Sequence, residues 1–271
     1  MLPAWAHATN KGRAIVDVLL FGEAQQPLLG VYHPADAQRD LRRGIVFCYP
    51  FGQEYMRAHR AMRLLADMLA RKGYHVFRFD YRGTGDSAGQ LEAFSPIDWL
   101  DDIEAAVQEL RDITGLQRIG LLGLRLGALL AKEVAARRAD IEQLLLWDPV
   151  VSGAEYLSEL RREIDSGTGN PKSNFVAANS DLHFNGFCLS QSFQAQLGTL
   201  DMVAPPVAPS TRVAQFVSHE RAEFERIRAS LQKRDGYTYQ LVAAPHDWNY
   251  VDHVGGILLP QPVMFAIASS L

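Results

Sequence analysis

Gly123-Leu124-Arg125-Leu126-Gly127 lies between an apolar run that reads as a buried strand, Arg118 to Leu122, and one that reads as a helix, Ala128 to Arg138. Strand, sharp Gly-flanked turn and helix is the layout of a nucleophile elbow. Small residues two before and two after the centre let such a turn close, and a Ser normally sits at its tip. Here the centre is Arg125. A guanidinium cannot be acylated, and it does not deprotonate in proteins. Other residue types that could take part follow in the chain. His246 lies in a loop after the last predicted core strand, with a side chain that could titrate near neutral pH. Glu220 follows the strand at 213–217, and Asp148 ends the strand before it. Either could serve as an N-cap or first-turn residue of the next helix.

The elements that must position these residues are legible from apolar spacing. Residues 13–33 alternate and read as an antiparallel hairpin with Gly22 near its turn. Residues 44–49 form a short continuous apolar run, the pattern of a parallel strand covered on both faces. Helical spacing runs from Arg57 to Lys72 and ends at Gly73, and the strand Tyr74 to Phe79 follows. A helix over 98–114, the turn unit and the strand Gln143 to Trp147 continue the alternation. Such alternation predicts βαβ units in a mostly parallel sheet. It fails between 151 and 210. There a helical piece (Ala154 to Ile164), a Gly/Ser/Asn-rich stretch, a second helical piece (Leu189 to Leu200) and a Pro-rich linker suggest a small helical cap over a site. The expected organisation is one domain: a core over 1–150, the cap over 151–210, and the rest of the core over 211–271, ending in a helix after Ile257 despite Pro260 and Pro262.

The chain has 271 residues, 48% of them hydrophobic and 21% charged. That is an ordinary globular composition for one large α/β domain. A net charge of -4 gives no electrostatic case for nucleic acid. Cys48 and Cys188 lie far apart with no metal-ligand spacing, so no metal or other cofactor is expected, and the pair fits a reducing cytoplasm. The N-terminal stretch has no long apolar core of the signal-peptide kind, and no run approaches the length of a membrane span. The sequence leaves open whether the chain acts alone or as a homodimer.

Three stretches carry a resemblance. Phe79-Asp80-Tyr81-Arg82-Gly83-Thr84-Gly85-Asp86-Ser87 follows a predicted strand, the Gly-flanked turn comes next, and His246 follows the last strand. Together they resemble the α/β-hydrolase superfamily, in particular its serine aminopeptidase-like members. The stretches Tyr49-Pro50-Phe51-Gly52-Gln53-Glu54, Gly123 to Ala131 and Trp147 to Gly153 are most similar to the exosortase-A-system-associated hydrolases, some of which also carry Arg at the elbow. The resemblance implies an α/β-hydrolase fold. It places two oxyanion donors on the backbone N–H groups of Phe51 and Leu126, and it sets the loop carrying Glu54 opposite the elbow. It also places the base at His246, with His219 and His253 as weaker candidates, and its carboxylate partner at Glu220 or Asp148. A cation at a helix N-terminus is electrostatically unfavourable and needs an anion. Glu54 is therefore the first candidate partner for Arg125. Arg125 could otherwise bind a ligand carboxylate, phosphate or developing oxyanion.

Remaining motifs read as structural. Asp80, Arg82, Gly83, Gly85 and Asp86 suit a tight, internally bonded loop. Cys48 reads as buried and inert. Ser152 lacks an elbow, and His59 and His75 fall on predicted surfaces. Two functions stay open. One is a protein acting on an acyl compound (ester, thioester or amide) without an acyl-serine, with His246 as base. The other is an inactive hydrolase fold that binds an anionic small molecule or serves as an accessory protein in a biosynthetic pathway. Both expect a small-molecule acyl or carboxylate ligand. Both also predict that a fluorophosphonate leaves the intact chain without a stoichiometric adduct, because such reagents need a Ser Oγ activated by a base. Mass spectrometry showing one full-occupancy adduct contradicts this.

Overall fold

The computed structural model describes residues 16–166, 173–249 and 258–271. The chain opens with the hairpin β1 (Asp17–Phe21) and β2 (Leu28–His33), followed by β3 (Arg43–Cys48), α1 (Gly52–Arg71) and β4 (Tyr74–Phe79). Next come α2 (Pro96–Thr114), β5 (Ile119–Leu124), α3 (Leu126–Arg137) and β6 (Ile141–Trp147). An inserted segment holds α4 (Gly153–Asp165), β7 (Phe175–Val176), β8 (Leu182–Phe184), β9 (Phe187–Leu189) and α5 (Gln191–Leu197). The chain then returns through β10 (Arg212–Val217), α6 (Ala222–Leu231), β11 (Tyr237–Leu241) and α7 (Gln261–Ser270).

Eight strands form one sheet in the order β1-β2-β4-β3-β5-β6-β10-β11. β2 runs antiparallel to β1 and β4, and the six strands from β4 to β11 are mutually parallel. The central strands β3, β5 and β6 are buried along nearly their whole length, with helices covering the sheet. This is the mostly parallel βαβ sheet that the alternation predicts, in the α/β-hydrolase arrangement that the resemblance implies. Local chemistry agrees with it. α2 starts at a capping box of Ser95 and Asp98 with Pro96 in its first turn, and it stops at Gly115 in the left-handed region (φ 72°).

The inserted segment departs from the all-helical expectation. Its centre is a small antiparallel sheet, β7-β8-β9, and α5 is shorter than the helical spacing of 189–200 suggests. Leu189 ends a strand, and Ser190 caps the helix by accepting from the Phe193 N–H. Aromatic rings fasten the segment to the core. Phe193 lies 5.1 Å from Trp99 and 6.1 Å from Phe51, and Phe187 lies 5.5 Å from Phe51. Trp99 stacks in turn on Tyr81 at 4.9 Å.

Phe193 is fully buried in this cluster, so Phe193→Ala is expected to cost about 3–5 kcal/mol and to lower Tm by roughly 6 °C or more. A calorimetric Tm within a degree of wild type refutes this anchoring role.

Candidate functional site

The site is built from the C-terminal ends of β5, β6 and β10, which are tied across one another. Arg125 has φ 53° and ψ −119°, a backbone region that costs about 1–3 kcal/mol for a residue with a side chain. Its N–H donates to the Trp147 carbonyl at 3.0 Å, and its own carbonyl accepts from Ala128 and Val150, each at 3.1 Å. Asp148 also has positive φ, 41°, and its N–H donates to the Phe216 carbonyl at 2.9 Å. Small residues flank the turn for a steric reason. A Cβ on Gly123 would collide with the Ala128 Cα, and one on Gly127 with the carbonyl oxygens of Cys48 and Tyr49.

The Arg125 side chain is 6% exposed. Its Nε donates to Glu54 Oε1 at 2.9 Å, and its Nη1 donates to the Asp148 carbonyl at 3.4 Å. Its guanidinium also lies over the Tyr156 ring, 5.9 Å from the centroid. Glu54 sits in the first turn of α1, where a carboxylate is favoured by the free N–H groups. It is wholly buried, and its Oε2 accepts from the Tyr156 hydroxyl at 3.4 Å. Burial pushes the Glu54 carboxyl up, and the nearby Arg125 charge pulls it back. Burial likewise opposes the charge on Arg125, but the Glu54 carboxylate outweighs it and holds the guanidinium above its ordinary range.

Arg125 and Glu54 line a cavity of about 730 Å³ under the inserted segment. His246 and His219 line it too, stacked with ring centroids 3.7 Å apart and planes 12° from parallel. The His246 Nδ1 lies 3.1 Å from the Ala244 carbonyl. A nitrogen facing a carbonyl must donate, so Nδ1 carries a proton. Burial, then the neighbouring His246 and the charges of Arg221 and Arg125, lower the His219 pKa to about 4 despite Asp148. His219 is therefore neutral at pH 7. Its Nδ1 is buried with no hydrogen-bond partner among the described residues.

The two candidate acids do not reach these rings. Glu220 is exposed and is not among the cavity's lining residues. Asp148 is wholly buried, and its carboxylate accepts from the Ser218 N–H (2.6 Å), the Ser218 hydroxyl (2.6 Å) and Trp248 Nε1 (3.1 Å). Asp148 thus fixes the loop ends that carry the imidazoles and does not orient an imidazole directly. Phe51 and Leu126 are buried beside the turn and do not line the cavity, and the Phe51 ring belongs to the aromatic anchor.

The loop 80–87 is bonded internally. Asp80 accepts from the Tyr55 hydroxyl and the Asp86 N–H, and Arg82 pairs with Asp102. Cys48 is buried, and burial pushes its thiol well up. Ser152 caps α4, His59 is exposed, and His75 bonds Tyr32 and Asp40. His253 lies outside the described residues. No metal-holding group of His, Cys, Asp and Glu occurs among the described residues, and no described helix is long and apolar enough to cross a membrane.

The residues that sequence reading passed over come mostly from α4 and the inserted segment. Glu159, Arg162 and Glu163 line the cavity. Their spacing of three and four puts them on one helix face. Arg221, Asp247, Asn185 and Asn249 complete this polar wall.

A family model described as serine aminopeptidase, S33, matches residues 43–229. No curated protein matches the chain. Solved structures of the same fold include Est1E from Butyrivibrio proteoclasticus with ferulic acid bound, 15% identical with TM-score 0.63 over 93% of this chain and 95% of that one. The Pyrococcus furiosus esterase Pf2001 is 16% identical with TM-score 0.60, over 86% and 83% of the two chains. Mouse alpha/beta hydrolase domain-containing protein 10 is 16% identical with TM-score 0.59, over 94% and 96%.

Removing one partner of a buried ion pair strands the other charge, at about 3–5 kcal/mol. Glu54→Ala is expected to destabilise by that amount in chemical denaturation. The double variant Glu54→Leu, Arg125→Met is expected to recover more than half of it. Independent, additive losses in the double variant would sink the pairing.

Proposed function

The chain belongs to the serine aminopeptidase S33 family of α/β hydrolases, and we propose that it uses this fold to hold an acyl compound at Arg125 without forming an acyl-enzyme. The observation that carries this reading is the Arg125 Nε–Glu54 Oε1 bond of 2.9 Å at the turn centre. It fixes a guanidinium where an attacking hydroxyl belongs in the family geometry. Its Nη2 hydrogens have no protein acceptor among the described residues. Because Glu54 neutralises the charge, the pair offers N–H donors without a net field. That suits the carbonyl oxygen of an ester, thioester or amide better than a free anion. No carboxylate among the described residues bonds His219 or His246, so a relay to a nucleophile has no support.

The stacked imidazoles favour a second reading. His219 is neutral at pH 7 and stacks on His246, so this pair could take a proton from a water attacking a carbonyl held by Arg125. In that reading His246→Ala lowers any turnover by about 10²-fold or more.

Arg125→Lys keeps a cation for Glu54 but removes the planar fork. It is expected to weaken binding of phenyl acetate by roughly tenfold, about 1.4 kcal/mol, in an NMR titration. Arg125→Ser is expected to give no burst with p-nitrophenyl acetate, since Glu54 is left buried and Asp148 stays committed to Ser218 and Trp248. A stoichiometric burst from the Ser variant overturns the proposal.

A further inference from the structure

α1 turns a basic face to solvent. Arg60, Arg63 and Arg71 are exposed, and their spacing puts them along one side of the helix. None of the three makes an ion pair or a hydrogen bond among the described residues. Both carboxylates of α1 are already engaged, Glu54 with Arg125 and Asp67 with His33. α7, which packs beside α1, has no charged side chain. Residues 1–15, 167–172 and 250–257 hold a single acid, Asp252, too few for three guanidiniums. A basic stripe with no acid of its own, on a chain of net charge -4, fits an acidic partner.

The chain carries that acidic partner on its other side. β3 to β4 and β4 to β5 step in opposite directions along the sheet, so right-handed crossovers put α1 and α2 on opposite faces. On α2, Asp98, Asp102 and Glu104 are paired with Arg82 and Arg138. Asp101 and Asp112 are exposed, Glu109 is half-buried, and none of these three has an ion pair among the described residues. Burial and then the neighbouring Asp112 push the Glu109 carboxyl up, which a facing cation relieves. Read backwards, the acids at 112, 109 and 101 have the spacing of the arginines at 60, 63 and 71. Laid antiparallel, the two helices match over about 16 Å, with Arg60 on Asp112, Arg63 on Glu109 and Arg71 on Asp101. The same register sets Asp67, the one acid within the basic stripe, against Ala105. We infer that α1 of one copy of this chain docks on α2 of the next, so that the protein assembles head to tail. Because the two helices lie on opposite faces, the contact is not reciprocal within a pair, and it builds a ring or an open chain. It does not depend on what the cavity holds.

The test is analytical ultracentrifugation of the full chain. Exposed ion pairs are weak singly, so protein concentrations up to about 1 mM are used. In about 0.01 M salt, where charges act over about 30 Å, the average mass is expected to rise with concentration. In about 1 M salt, where they act over about 3 Å, it is expected to fall to that of the monomer. The triple variant Arg60→Glu, Arg63→Glu, Arg71→Glu is expected to stay monomeric, and so is the triple variant Asp101→Lys, Glu109→Lys, Asp112→Lys. A chain carrying all six changes has the net charge of wild type and two complementary stripes again, so it is expected to associate as wild type does. If a triple variant does not fold, Arg63→Glu, Glu109→Lys and their combination serve in its place. A wild-type chain that is monomeric throughout overturns the inference. So does association that salt does not weaken, or that the combined variant does not restore. A monomeric wild type that binds poly-glutamate, with binding lost on reversal of the three arginines, assigns the α1 stripe to a foreign acidic partner and also overturns it.

Discussion

The buried ion pair between Arg125 and Glu54 is the interaction on which the site depends. A cation at the start of α3 meets the positive end of a helix dipole, in a place with almost no access to water. Glu54 answers it from the start of α1, where the dipole favours a carboxylate. Each helix therefore meets at its N-terminus a group belonging to the other, and the two lie across the end of β3 and β5. Tyr156 closes the pair from the inserted segment, with its hydroxyl on Glu54 and its ring beneath the guanidinium. Core and insertion thus converge on one salt bridge.

Asp148 is the second constraint, and it works through geometry rather than charge transfer. Its three accepted bonds hold Ser218 and Trp248, and these sit one and two residues from His219 and His246. Backbone bonds from Val242 to Val217 and from Ala244 to Ser218 continue the tie to the loop after β11. The two imidazoles are stacked because the loops bearing them are pinned to one buried carboxylate. The cavity wall opposite is supplied by α4, whose own seating depends on the aromatic anchor around Phe193.

The core was legible because its signals are local. Continuous apolar runs gave β3 and β5, helical spacing gave α1 and α2, and the Gly-flanked turn gave the β5–α3 junction. Glu54 could be named as the first candidate partner because a helix-terminal cation requires an anion and the family resemblance sets the loop of Glu54 opposite the turn. The cavity wall was not legible. Glu159, Arg162 and Glu163 form the charged face of an amphipathic helix, and from sequence such a face is indistinguishable from one turned to solvent. The pairing of His219 with His246 was hidden for another reason, since the two are brought together only by the register of β10 and β11. The small sheet β7-β8-β9 is built from strands of two or three residues, too short for alternation to show.

The salt bridge also bears on ancestry and descent. A chain that once carried Ser at the turn could not have acquired Arg125 alone without burying a lone cation, nor Glu54 alone without burying a lone anion. Each intermediate forfeits a large share of the 5–15 kcal/mol by which domains are typically stable. The same barrier stands in reverse. With both residues in place, neither can be exchanged singly for a hydroxyl-bearing or apolar side chain without stranding the other's charge, so the two positions can change only together.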